Sequence, residues 1–89
     1  MDIEYDPAKA ESNLSKHGVS FEEAASALLD PNALAQEDIY SEGETRWILM
    51  GMSEESRLLV VVYSLPTDER IRLISARTAT KAEAKYYAR

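Results

Sequence analysis

Residues 57–77 read RLLVVVYSLPTDERIRLISAR, and the fold turns on how this stretch is read. Leu58, Leu59, Val60, Val61, Val62 and Tyr63 form an unbroken apolar run rich in β-branched side chains. Such side chains suit a pleated strand, and a run without polar alternation suits one covered on both faces. The run is far too short to cross a bilayer as a helix, which takes about 20 residues. Pro66-Thr67-Asp68 predicts a turn, with proline fixing φ at its second position. Residues 70–77 predict the returning strand. Successive side chains point to opposite sides of a strand, so Arg70 and Arg72 share one face while Ile71 and Leu73 share the other. Arg77 closes the segment.

Working outward, ETRWILMGM at 44–52 predicts a strand ahead of this pair, joined to it through a turn at Glu54-Glu55-Ser56. Residues 33–43 are acidic and weakly patterned, which predicts a loop with at most a short edge strand. Downstream, Thr80-Lys81-Ala82-Glu83 has the spacing of a capping box and starts a terminal helix, with Ala82 and Tyr86 on its expected buried side. At the other end, MDIEY alternates apolar and polar residues and predicts a short first strand. Asp6 then caps a helix that has Pro7 in its first turn, where a missing N–H costs nothing. Ala10, Leu14 and His17 share one face of that helix, and Gly18 supplies the left-handed residue that ends it. Ser20 and Glu23 form another capping box, with Glu23 reaching back to the helix start. Phe21, Ala24, Ala25 and Leu28 make the apolar stripe of the second helix, which Asp30-Pro31 stops.

The order is β-α-α-β-β-β-α. Short connections make the later strands antiparallel. The expectation is an α+β fold: a small antiparallel sheet of three or four strands, two N-terminal helices on one face, and a C-terminal helix near an edge. The 89 residues suffice for one domain, residues 1–89, with one modest core.

Composition narrows the chemistry. There is no cysteine, so disulfides and thiolate zinc sites are excluded. That fits a reducing cytosol, and a cytoplasmic location is the expectation. One histidine, His17, argues against a histidine-based metal site, and nothing calls for a cofactor. No signal peptide is readable at MDIEYD, and no membrane association is expected. His17 lies between Lys16 and Gly18; a cation at a helix C-terminus meets the dipole favourably, so its expected role is structural, with partial burial beside Leu14. The net charge is −6, divided as −10 over residues 1–56 and +4 over residues 57–89. An acidic body with a basic last third is compatible with a local anion site.

Taken together, KAESNLSKHGVSFEEA, EGETRWILMG and IRLISARTATKAEAKYY resemble the BrnT family of toxins from type II toxin–antitoxin systems. Lys9, Asn13, Lys16-His17-Gly18, Phe21, Ala24, Arg46, Gly51, Ile74-Ser75-Ala76-Arg77, Glu83 and Tyr86 or Tyr87 stand at the family's marked positions. The resemblance implies a RelE-like fold and an endoribonuclease that stops translation. It also implies neutralisation by a BrnA-like ribbon-helix-helix antitoxin, with operator DNA reached only through that partner and room for dimerisation within the complex. Two positions depart from the pattern. The hairpin SLPTDER has Pro66 and acids where relatives often carry arginine, and Tyr40 stands where they often carry histidine.

Metal-independent RNA cleavage uses the 2′-OH as internal nucleophile on the adjacent phosphate. It needs a base for that hydroxyl, an acid for the leaving oxygen and cations for the developing charge. Arg72 and Arg77 are the first candidates, because arginine's planar fork matches phosphate. Arg46 opens the central strand with Glu44 two residues before it, and a carboxylate beside arginines suits the base. Arg70, Lys9 and Lys16 are expected to bind RNA, and Tyr86 to stack a base. The lost hairpin arginine and the acidic charge suggest a second reading, a catalytically weak antitoxin-binding module acting as co-repressor. A small-ligand enzyme has no glycine-rich phosphate loop or metal cluster in its favour.

Overall fold

A computed structural model describes residues 2–87. The elements are β1 (Asp2–Glu4), α1 (Pro7–His17), α2 (Phe21–Ala27), β2 (Leu34–Asp38), β3 (Arg46–Met52), β4 (Leu58–Thr67), β5 (Arg70–Thr78) and α3 (Lys81–Tyr87). The strands form one sheet in the order β1-β5-β4-β3-β2. It has five strands where three or four were expected, because the acidic stretch does supply an edge strand, β2. Four strands form an antiparallel meander, while β1 pairs parallel to β5, Asp2 opposite Arg70 and Glu4 opposite Arg72. Two helices intervene between β1 and the rest, so no short connection forces β1 antiparallel.

The helix starts follow local chemistry. Asp6 accepts from the Ala8 N–H at 2.9 Å, and α1 ends at Gly18 with φ 67°. The Ser20 hydroxyl accepts from the Glu23 N–H at 3.0 Å. The other half of that expected box does not form. The Glu23 carboxylate turns into the protein instead, receiving the Ser53 hydroxyl at 2.7 Å and the Arg57 Nε at 2.9 Å. A buried carboxylate gains more from a guanidinium than from one backbone amide. Both halves form at α3: Glu83 N–H donates to the Thr80 hydroxyl at 3.1 Å, and Thr80 N–H donates to Glu83 at 2.8 Å.

α1 and α2 lie on one side of the sheet. Val19, Phe21, Ala24 and Ala27 from the helical layer meet Leu59, Val61, Leu73 and Ala76 from the strands in the core, and the Tyr5 ring meets Phe21 edge to face. Gly51 lies where α2 ends; a Cβ there would stand 2.6 Å from the Ala27 carbonyl oxygen, so a side chain would push helix and sheet apart. The buried residue of α1 is Asn13, not Leu14, which is 52% exposed, and His17 is exposed too. Asn13 spans the layers: its amide donates to the carbonyls of Val19 and Ala76, each at 2.9 Å, and its carbonyl accepts the Ala76 N–H at 3.0 Å.

Two further expectations shift. The hairpin turn falls at Asp68 and Glu69, and Pro66 belongs to β4. The ladder slips between Ser64 and Thr67, so proline sits at an irregularity, where a missing donor is tolerated. α3 carries no buried residue: Ala82 is exposed and Tyr86 is 65% exposed. Its partly covered side holds Glu83, Ala84 and Tyr87, with the Tyr87 hydroxyl donating to Asp30.

Candidate active site

The helices leave the second face of the sheet uncovered by α1 and α2, and strand alternation decides what stands there. Leu59, Val61 and Tyr63 of β4 point toward the helices, so Val60, Val62 and Ser64 point away. Register extends this across the sheet. Arg46 of β3, Ser64 of β4, Arg72 of β5 and Glu4 of β1 stand opposite one another in sequence, a single row on the open face.

The row is bound by charge. Glu4 receives Arg72 Nε at 2.9 Å and pairs with Arg70 Nε at 3.2 Å. Glu44, from the connection ahead of β3, receives Arg72 Nη1 at 3.3 Å. β4 lies between β3 and β5 in the sheet, so this last bridge links the two strands' neighbourhoods on either side of it. The Arg46 guanidinium has no ion pair among the described residues. Arg72, Arg70, Arg46 and Glu44, all read from the sequence as site candidates, are therefore brought to one end of the open face.

The remaining candidates lie elsewhere. Arg77 shares the open face further along β5, opposite Val60. Its fork is filled: Nη1 and Nη2 donate to the two carboxylate oxygens of Glu83, both at 2.8 Å, and Nη1 also reaches the Thr78 carbonyl at 3.2 Å. Chiefly the Arg77 bonds, with help from the Thr80 N–H, pull the Glu83 carboxyl down to about 2. Tyr86 borders a cleft of about 420 Å³ beside Arg77's partner, with Leu34, Ile48, Met50 and Val60 as its apolar walls. Lys9 and Lys16 are exposed on α1, in the layer on the other side of the sheet, and do not join the arginines.

On the helical side a second arginine cluster has a different character. Arg57 donates through Nε and Nη2 to Glu23, and Nη2 also reaches the Gly18 carbonyl at 3.0 Å. Hydrogen bonds from Arg57 and then Ser53 hold the Glu23 carboxyl below its usual range against the opposing effect of burial. This cluster joins the start of α2 to the β3–β4 turn.

Two members of the open-face row escape a reading of the sequence. Glu4 stands 68 residues from Arg72, and only the parallel pairing of β1 brings them together. Ser64 lies at the end of an apolar run and carries no motif. The one signal was its polarity, a hydroxyl closing a stretch that otherwise reads as core.

Comparison with known proteins adds identity to this geometry. Residues 5–83 match the profile of a family described as the ribonuclease toxin BrnT of type II toxin–antitoxin systems. No curated protein matches the chain in sequence. Among solved structures, the crystal structure of the Brucella abortus ribonuclease toxin BrnT superposes with a TM-score of 0.71 at 23% identity, covering 91% of this chain and 99% of that one. That likeness shows a shared α+β fold.

Proposed function

Starting from the premise that this chain belongs to the BrnT family of ribonuclease toxins from type II toxin–antitoxin systems, we propose that it cleaves RNA internally, without a metal, on the open face of its sheet. The observation that carries the reading is the row itself: Arg46 and Arg72 flank Ser64 in register, with Glu44 bonded to Arg72. Neighbouring strands lie about 4.8 Å apart, so two arginines one strand removed from each other stand about 10 Å apart at their bases. Their long side chains can converge on one phosphate.

In this reading the phosphate of an extended RNA displaces the carboxylates from Arg72, and the two guanidiniums hold its non-bridging oxygens. Glu44, released but still adjacent, takes the proton of the 2′-OH. The O2′–P bond forms as the P–O5′ bond breaks, the arginines stabilise the additional negative charge, and water protonates the departing O5′. The products are a 2′,3′-cyclic phosphate and a free 5′-hydroxyl, and the proton on Glu44 returns to solvent. Arg70 steadies the strand, and Tyr86 at the cleft stacks a base. Arg77 is tied to Glu83 and serves to fix α3 at that cleft rather than to hold the scissile phosphate. Lys9 and Lys16 supply no contact at this site.

Inhibition of translation in the cytoplasm and neutralisation by a BrnA-like ribbon-helix-helix antitoxin complete the proposal, with operator DNA bound through the antitoxin. One observation favours a second reading as a weakly active co-repressor: Arg72 and Arg77 already hold carboxylates of the same chain. Induction of the chain alone separates the two. Growth arrest, relieved by the cognate antitoxin, with cleavage of a model RNA in EDTA, is the expected result. Normal growth and intact RNA with folded protein present would establish the co-repressor.

A further inference from the structure

Ser64 has no exposed surface, and its Oγ is the one buried side-chain polar atom among the described residues without a hydrogen-bond partner. A buried hydroxyl without a partner lowers stability, and alanine of nearly the same size would avoid that cost. The fold gains nothing visible from this oxygen. Its place in the sheet is specific, however: Arg46 is its partner on β3 and Arg72 its partner on β5, and all three project from the open face. Arg72, on this row, also bridges to Glu44 from the connection just ahead of β3.

We propose that Ser64 is a third donor of the RNA site, its hydroxyl giving a hydrogen bond to a non-bridging oxygen of the phosphate seated between Arg46 and Arg72. The inference rests on the reading of the open face as that site. In the free protein Arg72 is drawn sideways by Glu4 and Glu44, and the hydroxyl is left without an acceptor. A phosphate that takes Arg72 from those carboxylates brings acceptor oxygens to the same row. The bond forms only with ligand present, so the hydroxyl's interaction energy goes into binding and the transition state rather than into the free fold. Ser64 keeps its proton throughout and forms no covalent bond.

The proposal gives stability and function opposite signs at one atom. Ser64→Ala is expected to melt at or above the wild-type temperature and to cleave a model RNA about 100-fold more slowly, the lower end of the loss when one preorganised donor is removed. Ser64→Cys, with similar shape and a weaker donor, should fall between them. Binding of an uncleavable 2′-deoxy-substituted RNA oligonucleotide, followed by fluorescence anisotropy, gives a readout independent of turnover and should weaken about tenfold in Ser64→Ala. Arg72→Ala is measured alongside. If Arg72→Ala loses cleavage and binding while Ser64→Ala matches wild type, Ser64 has no role and the site stands. If Ser64→Ala loses function only together with melting temperature, the hydroxyl is structural and the proposal fails. If neither wild-type cleavage nor binding depends on Arg72, the site itself is misplaced and the Ser64 proposal falls with it.

Discussion

On the helical side of the sheet Arg57 meets Glu23, whose side chain is 2% exposed; on the open side Arg72 meets Glu4 and Glu44, whose side chains are 36% and 44% exposed. Glu23 has every direction filled, with Arg57 and Ser53 on its oxygens and Ser53 held by its own N–H bond to the Arg57 carbonyl at 2.8 Å. Arg72 instead divides its donors between two carboxylates from separate parts of the chain, both open to water. Removing one partner of a buried pair strands a charge, whereas exposed pairs exchange with solvent at little cost. The same two residue types therefore hold the fold on one face and remain displaceable on the other. A site that must release its own carboxylates to take a phosphate needs the second kind.

The largest expected effect separates these roles most sharply. Arg72→Ala should reduce RNA cleavage by about 10²–10³-fold, roughly 2.7–4 kcal/mol of transition-state stabilisation. Its melting temperature should barely move, since exposed pairs contribute about 0–1 kcal/mol. Arg72→Lys should recover only part of the rate, because charge returns without the fork. Single-turnover cleavage with parallel thermal melts measures both. Unchanged cleavage would remove Arg72 from the site.

Glu23→Ala should show the reverse. Arg57 loses its partner but is 40% exposed and can reach water, so the cost should be about 2–3 kcal/mol, below the 3–5 of a fully buried pair. Chemical denaturation reads this directly. A loss under 0.5 kcal/mol would make the helical-side pair equivalent to a surface pair and dissolve the distinction between the faces.

Acid should sharpen the comparison further. Glu83 has a folded pKa of about 2 against an ordinary value of 4.5, lowered mainly by Arg77. A depressed carboxyl contributes stability in full above its unfolded pKa, and that contribution disappears as pH falls through the folded value. Denaturation midpoints should therefore fall between about pH 4.5 and 2, with Glu23 adding a loss of the same sign. Glu83→Gln should give a shallower decline over that window; an identical slope would mean that the Arg77 pair adds nothing.

The smallest effect concerns Glu4. Glu4→Gln releases Arg70 and Arg72 from a shared carboxylate. Binding of an uncleavable RNA should tighten about two- to fivefold, matching an exposed pair of up to 1 kcal/mol. Weaker binding in this variant would show that Glu4 positions the arginines rather than competing with RNA.

What the sequence revealed and concealed divides along the same line. Asp6-Pro7, Ser20, Thr80 and Gly18 act on backbone within a few residues, and the helix boundaries they predict are present. Strand alternation is local, so the sequence already puts Arg70 and Arg72 on one face of β5. Glu23 departs from its local capping role because Arg57, 34 residues away, competes for its carboxylate. Proline's local preference points to a turn at Pro66, while the irregularity that retains it in β4 depends on pairing with β5. The expected buried side of α3 at Ala82 and Tyr86 is exposed because α3 rests on the Arg77–Glu83 ion pair and the Tyr87 hydroxyl more than on an apolar stripe. Ser64 has meaning only beside two arginines from other strands.

The parallel pairing of β1 with β5 also sets a schedule. Glu4 is synthesised well before its partner strand, so β1 has no neighbour until residues 70–72 have been made. At about 5–20 residues per second, the first strand waits several seconds for its partner. Contacts so distant in sequence close late and slowly. The charged row on the open face is thus completed only once β5 has emerged, and until then a nascent chain carries Glu4 and Arg46 without Arg72 between them.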